Sequence, residues 1–260
     1  MLRQFCFQVV IVSNQYSTKP KMRRGGFTFK QFFVAHDRCA MKVGTDGVLL
    51  GAWAIVEGRQ RVLDIGCGSG LIALMLAQRS ATGAIIDAVE LDSEAAVQAQ
   101  ENVQASPWPQ KIQVHHQDIH LFALQHANCY DLIVSNPPYF EPSVACRDLA
   151  RTNARYTETL NHDALLDCAE RLIAADGHFC VILPYDIGEE FEVNAHQRGW
   201  QTARRLNISD RADTPKHRLL LALSKGAMAH KEEADLAIKL ADGSYTADFR
   251  QLITDFYLNY

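Results

Sequence analysis

Between residues 61 and 200 the chain alternates short continuous apolar runs, rich in β-branched residues, with longer stretches whose apolar positions recur at helical spacing. The short runs fit strands buried on both faces and the longer stretches fit amphipathic helices. Strands are predicted at Val62 to Gly66, Ala84 to Leu91, Ile112 to His116, Tyr130 to Ser135 and His178 to Leu183. Helices are predicted at Leu71 to Gln78, Ser93 to Ala105, His162 to Ala174 and Ile187 to Arg198, with Ser93 and Asn161 as N-caps. Strand and helix in turn read as a doubly wound α/β core with a mostly parallel sheet. After Gly199, the runs Gln201 to Ser209 and Arg218 to Leu223 flank a polar segment and predict a hairpin-like end. An apolar alternation from Leu236 to Leu240, a turn at Asp242-Gly243 and an aromatic helix from Ala247 to Leu258 follow.

Composition narrows the class only slightly. At 260 residues, 48% hydrophobic and 22% charged, the chain has the balance of a globular protein, and one core is expected. The net charge of -4 excludes a uniformly basic surface, so any nucleic-acid contact has to come from local patches. Seven cysteines are scattered without a C-x-x-C pair, which suits a reduced cytoplasmic protein with no metal site. Cys67 and Cys180 lie in apolar stretches, where cysteine acts as a small hydrophobe. Phe5 to Val12 is apolar but too short to span a bilayer, so no membrane association is expected.

The run Val62-Leu63-Asp64-Ile65-Gly66-Cys67-Gly68-Ser69-Gly70 places three glycines between a strand and a helix. Such a turn lets a ligand approach the backbone, and the helix N-terminus beyond it offers free N–H groups. A dinucleotide fingerprint needs a third glycine where this chain has Leu71, which disfavours NAD. Glu90 ends the second strand about twenty residues on, where a carboxylate can accept both hydroxyls of a ribose. Asp118 lies at the end of the third strand and Ile119 follows it. Asp92 and Glu94 compete with Glu90 but read as charges at a helix start.

The fourth strand runs into Asn136-Pro137-Pro138-Tyr139. Two prolines stiffen the loop, so the Asn136 amide and the Pro137 carbonyl can serve as fixed acceptors for one NH2 group. A conjugated exocyclic amine is a poor nucleophile because its lone pair is delocalised. Holding both N–H bonds lets the nitrogen pyramidalise and direct that lone pair at an electrophilic methyl group. Tyr139 offers a flat face for a base taken out of its stack.

The D-x-G-x-G-x-G run resembles motif I of the class I methyltransferases dependent on S-adenosylmethionine (SAM). Asn-Pro-Pro-Tyr resembles motif IV of those acting on adenine N6, cytosine N4 or a glutamine amide. The resemblance implies a Rossmann-like class I fold: a mostly parallel seven-stranded sheet with an antiparallel C-terminal strand. It also implies that Gly66, Gly68 and Gly70 wrap the amino-acid end of SAM, that Asp64 orients it, and that Asp118 and Ile119 meet its adenine. Gly26 to His36, Met41 to Trp53 and Ala154-Arg155-Tyr156-Thr157 narrow the likeness to the bacterial tRNA1(Val) adenine-37 N6-methyltransferases. This implies that Lys42, Thr45, Asp46 and Gly47 close over the methionine end, with Asn136, Pro137 and Tyr139 catalytic and Asn136 also beside the cofactor. The expected organisation is an N-terminal extension over residues 1–22, a candidate for disorder and a departure from the family. A cofactor-lid and RNA-contact segment over 23–60 and the methyltransferase domain over 61–260 follow it.

A tRNA partner is supported by Lys19, Lys21, Arg23, Arg24, Lys30, Arg38 and Lys42, opposed only by Asp37. Arg23, Arg24, Lys30 and Arg38 are taken as candidate RNA contacts. So are Arg147, Arg151 and Arg155, which share a face if helical. Phe27, Phe29, Phe32 and Phe33 can stack on bases, although packing on the core is the plainer expectation. Arg204, Arg205, Arg211, Lys216 and Arg218 call for the same restraint. His115 and His116 lie in a strand without ligand spacing and are assigned no chemistry. No obligate protein partner is implied. The alternatives are a glutamine methyltransferase of release factors, a guanine-N2 methyltransferase of rRNA, and a non-catalytic RNA-binding module on the same fold.

Overall fold

A computed structural model describes residues 25–138, 160–226 and 231–258. Its strands are β1 (Gly26–Thr28), β2 (Phe33–Ala35), β3 (Arg61–Ile65), β4 (Ile85–Glu90), β5 (Ile112–His116), β6 (Tyr130–Ser135), β7 (Ile173–Pro184), β8 (Gln201–Ser209), β9 (Lys216–Ser224) and β10 (Glu232–Ala237). Its helices are α1 (Thr45–Trp53), α2 (Leu71–Arg79), α3 (Ser93–Gln104), α4 (Ile119–Ala123), α5 (His162–Leu172), α6 (Tyr185–Gln197) and α7 (Ala247–Ile253). The strands β1 and β2 pair as a small antiparallel ribbon. The others form one eight-stranded sheet in the order β10-β8-β9-β7-β6-β3-β4-β5. Within it β9 alone runs against its neighbours β7 and β8.

Successive strand residues point to opposite faces, and both faces are dry. On β3 and β6, Val62, Leu132 and Val134 join the cluster under α1, α2 and α3, whereas Leu63, Ile65 and Ile133 join the one under α4, α5 and α6. The continuous apolar runs of the sequence have this cause. Strand order reverses at β3, from which β4 and β5 run one way and β6 and β7 the other. Register aligns the strand ends there. Ile65 is level with Val89 on one side and Ser135 on the other, so Gly66, Glu90 and Asn136 each stand one step beyond a common line.

Several expectations are corrected. The sheet has one strand more than expected, because β10 pairs in parallel with β8. Its start is hidden in the sequence by Glu232 and Glu233, which pair instead with Arg204 at 3.0 Å and Arg205 at 3.4 Å. Asp92, not Ser93, caps α3 by accepting from the Ala95 N–H at 2.9 Å, whereas Asn161 does cap α5. The short helix α4 was not foreseen. Phe29 and Phe32 are buried in the main core, with Phe29 stacked on Phe32 at 4.6 Å and tilted against Tyr257. Residues 25–60 thus pack into the same core as the sheet.

Candidate active site at the C-terminal edge of the sheet

The glycine loop is fastened to its neighbours by backbone. The N–H groups of Gly66 and Cys67 both donate to the Val89 carbonyl, at 2.9 and 3.1 Å. Gly68 N–H donates to Glu90 Oε2 at 2.8 Å, and Asp92 N–H donates to Glu90 Oε1 at 2.9 Å, which fixes the carboxylate beside the loop. Gly66 and Gly68 have φ of +71° and +53°, and a Cβ on either would enter open space. Open space above a positive-φ turn is what close contact between backbone and ligand requires. Gly70, at φ +79°, instead starts α2 against Ala99.

Asp64 lies beneath this loop and faces neither cavity described below. It is fully buried, and its Oδ2 accepts from the Ala73 N–H at 3.1 Å in the first turn of α2. Burial pushes its pKa up to about 7, helped by the nearby Glu90 and opposed by the Ala73 N–H. It therefore acts on the loop from inside. On the other flank the Ser135 hydroxyl donates to the Ile65 carbonyl at 3.0 Å, tying the strand that delivers Asn136 to the strand that delivers Gly66.

Two cavities of about 500 Å³ each open on this edge and share Met41, Gly66, Gly68 and Asn136. The first is lined by Glu90, Asp118, Ile119 and the Asn136-Pro137-Pro138 loop, with Asp37 to Met41 forming another wall. Asp118 also caps α4, accepting from the His120 N–H at 2.7 Å. The second lies over the N-termini of α1 and α2 and is lined by Lys42, Thr45, Asp46, Gly47, Asp210, His217 and Arg218. Among the described residues Asn136 Oδ1 is buried without a hydrogen-bond partner. A buried carbonyl oxygen left unpaired is costly, and here it belongs to a residue on both cavity walls.

The remaining sequence candidates separate. Lys42 Nζ donates to the carbonyls of His36 at 2.7 Å and Cys39 at 3.3 Å, so its charge holds the 36–42 loop together. Asp46 pairs with Arg218 at 2.8 Å, joining the start of α1 to β9. Lys30 bonds to the Thr254 carbonyl and Arg38 pairs with Glu101, which draws both into the fold. Arg205, Arg211 and Lys216 are likewise paired with acids. Tyr139, Arg23, Arg24, Arg147, Arg151 and Arg155 lie outside the described residues. Sequence reading missed the 37–41 wall, Asp210 and His217, which reach the site from distant segments. Among the described residues no group of three or more His, Cys, Asp and Glu side chains could hold a metal ion, and no helix is long and apolar enough to cross a membrane.

These features fit SAM: two cavities that share lining residues, an acid at the end of the second strand, another after the third, and an open glycine turn. Comparisons agree. The methyltransferase small domain family matches residues 47–183, more than half of the chain. A tRNA1(Val) (adenine(37)-N6)-methyltransferase of Serratia proteamaculans is 73% identical over 260 residues, covering 100% of both chains, so residues 1–22 are no departure from that relative. One of Photorhabdus laumondii with the same name is 62% identical over 93% of this chain and 99% of its own. A predicted O-methyltransferase from Agrobacterium tumefaciens shares the fold, with a TM-score of 0.64 at 17% identity over 81% of this chain and 96% of its own. On the fold, the site and these likenesses together, the chain belongs to the tRNA1(Val) (adenine(37)-N6)-methyltransferase family.

Proposed function

We propose that this protein methylates N6 of adenosine 37 in tRNA1(Val), in the cytoplasm, with SAM as the methyl donor. The observation that carries the reading is the buried Asn136 Oδ1, unpartnered among the described residues, on the wall common to the two cavities. Bound SAM supplies an electrophilic methyl group. In this reading Glu90, on the first cavity's wall, holds the ribose and Asp118 with Ile119 the adenine, while Gly66, Gly68, Thr45 and Gly47, on the second cavity's wall, accommodate the methionine end. Asn136 accepts one N–H of the acceptor amine and the Pro137 carbonyl the other, and Tyr139 stacks on the base. With the amine so held, its lone pair is localised and no strong base is needed, since the proton leaves only after the new bond to nitrogen has formed.

In this reading tRNA is gripped by Arg23, Arg24, Lys30, Arg38, Arg147, Arg151 and Arg155. The exposed pair of Arg38 with Glu101 is weak enough for a phosphate to displace the carboxylate. The test incubates the protein and radiolabelled SAM separately with unmodified valine tRNA, a release factor and rRNA, then identifies the labelled product. N6-methyladenosine at position 37 of the tRNA is expected. Label in a glutamine or a guanine would keep the chemistry and replace the acceptor, and no label at all would favour an RNA-binding module.

A further inference from the structure

The segment 35–41 has no regular structure past β2, yet its residues 37–41 bound the cavity assigned above to the adenosine half of the cofactor. Two amides one turn apart on α3, Gln98 and Asn102, are buried at 0% and 5% exposure among alanines and valine. Gln98 Oε1 accepts from the Arg38 N–H at 3.0 Å and the Cys39 thiol at 3.1 Å, while its Nε2 donates to Asp37 Oδ1 at 2.7 Å. Asn102 Oδ1 accepts from the Ala35 N–H at 2.9 Å, and its Nδ2 donates to the carbonyls of Ala35 and Ser69, both at 2.8 Å. Ser69 belongs to the glycine loop. One face of α3 therefore fixes both the wall and the loop.

We infer that Gln98 and Asn102 are positioning residues for the cofactor, setting the wall 35–41 at the correct distance from the glycine loop. Helix packing alone needs neither amide, because leucine fills the same volume. What leucine lacks is the set of bonds to the wall, and an unpartnered buried amide is otherwise unfavourable. The same face explains Lys42: its bonds to the carbonyls of His36, Asp37 and Cys39 close the wall on itself, while the amides attach it to α3. The inference rests on the cofactor reading of the cavity.

The test reverses one hydrogen bond. In Gln98→Glu the new carboxylate still accepts from Arg38 and Cys39 but faces the Asp37 carboxylate, so S-adenosylhomocysteine should bind about tenfold more weakly by calorimetry. Asp37→Asn alone keeps an acceptor for Gln98 and should bind almost normally. The double variant restores the bond with donor and acceptor exchanged, and affinity should return to within about twofold of the starting protein. At saturating SAM, kcat of Gln98→Glu on unmodified valine tRNA should recover to within about twofold, so that the loss appears in KM for SAM and not in kcat, which a general loss of structure would not allow. Unchanged affinity in Gln98→Glu, or no recovery in the double variant, would overturn the inference. A starting protein that takes up no S-adenosylhomocysteine would overturn the cofactor reading, and the inference with it.

Discussion

Asp87 and Asn136 are polar groups on neighbouring parts of one sheet, and their surroundings differ completely. Asp87, in the middle of β4, is 3% exposed and serves three donors: Arg61 at 3.0 Å, His115 Nε2 at 2.7 Å and the Tyr130 hydroxyl at 2.9 Å. Burial alone would raise its pKa, but the bonds from His115 and Tyr130, with the Arg61 charge, hold it below the ordinary carboxylate value. Asn136, just past β6, has a buried oxygen with no partner among the described residues, and cavities lie beside it. A polar cluster that closes on itself stabilises the fold, whereas one left open at a cavity is arranged for a ligand. This contrast also separates His115, which sequence reading kept out of the chemistry, from the residues of the site.

The largest expected effect breaks the open side of this contrast. Asn136→Ala should lower kcat on the order of a thousandfold while leaving S-adenosylhomocysteine affinity within about twofold. Unaltered turnover would remove Asn136 from the mechanism. On the closed side, Asp87→Ala strands three donors and should cost about 3 kcal/mol in urea denaturation, without a selective change in cofactor affinity once folded. A neutral effect on stability would mean that the cluster is not the fold element described here. Glu90→Ala, between the two, is expected to weaken cofactor binding by about 1–3 kcal/mol through lost hydroxyl contacts, and calorimetry with S-adenosylhomocysteine decides it.

A further effect is one of pH. Asp87 has a lowered pKa, so its contribution is present above the ordinary value of 3.8 and is lost as pH falls through its folded pKa. Asp64 has the opposite sign. With a folded pKa of about 7 against 3.8, it binds a proton in the folded state that the unfolded chain has released, so stability declines as pH rises across that window and levels off above it. Asp64→Asn should therefore flatten the stability profile between about pH 4 and pH 7. An identical slope in that variant and the starting protein would show that Asp64 does not titrate there.

Local pattern carried most of the fold and the centre of the site. Strands buried on both faces must be continuously apolar, so β3, β4, β6 and the second half of β7 were visible as runs, and the glycine turn and Asn-Pro-Pro loop were contiguous strings, whereas the exposed start of β7 was read as the end of a helix. Gln98 and Asn102 left a trace that went unread: polar residues at core spacing on the face that also carries Ala95, Ala99 and Val103. Partners far along the chain were not legible: Lys30 and Arg38, read as an RNA-facing set, also bond to Thr254 and Glu101.

Periodicity and short motifs, being properties of adjacent residues, set the order of strands and helices and the chemical types at the strand ends. It took the folded chain to set which of those ends share a level, that Asp64 is buried under the loop, and that residues 37–41, Asp210 and His217 line cavities shared with Asn136. Those facts depend on register, desolvation and contacts between distant segments, none of which a local pattern encodes.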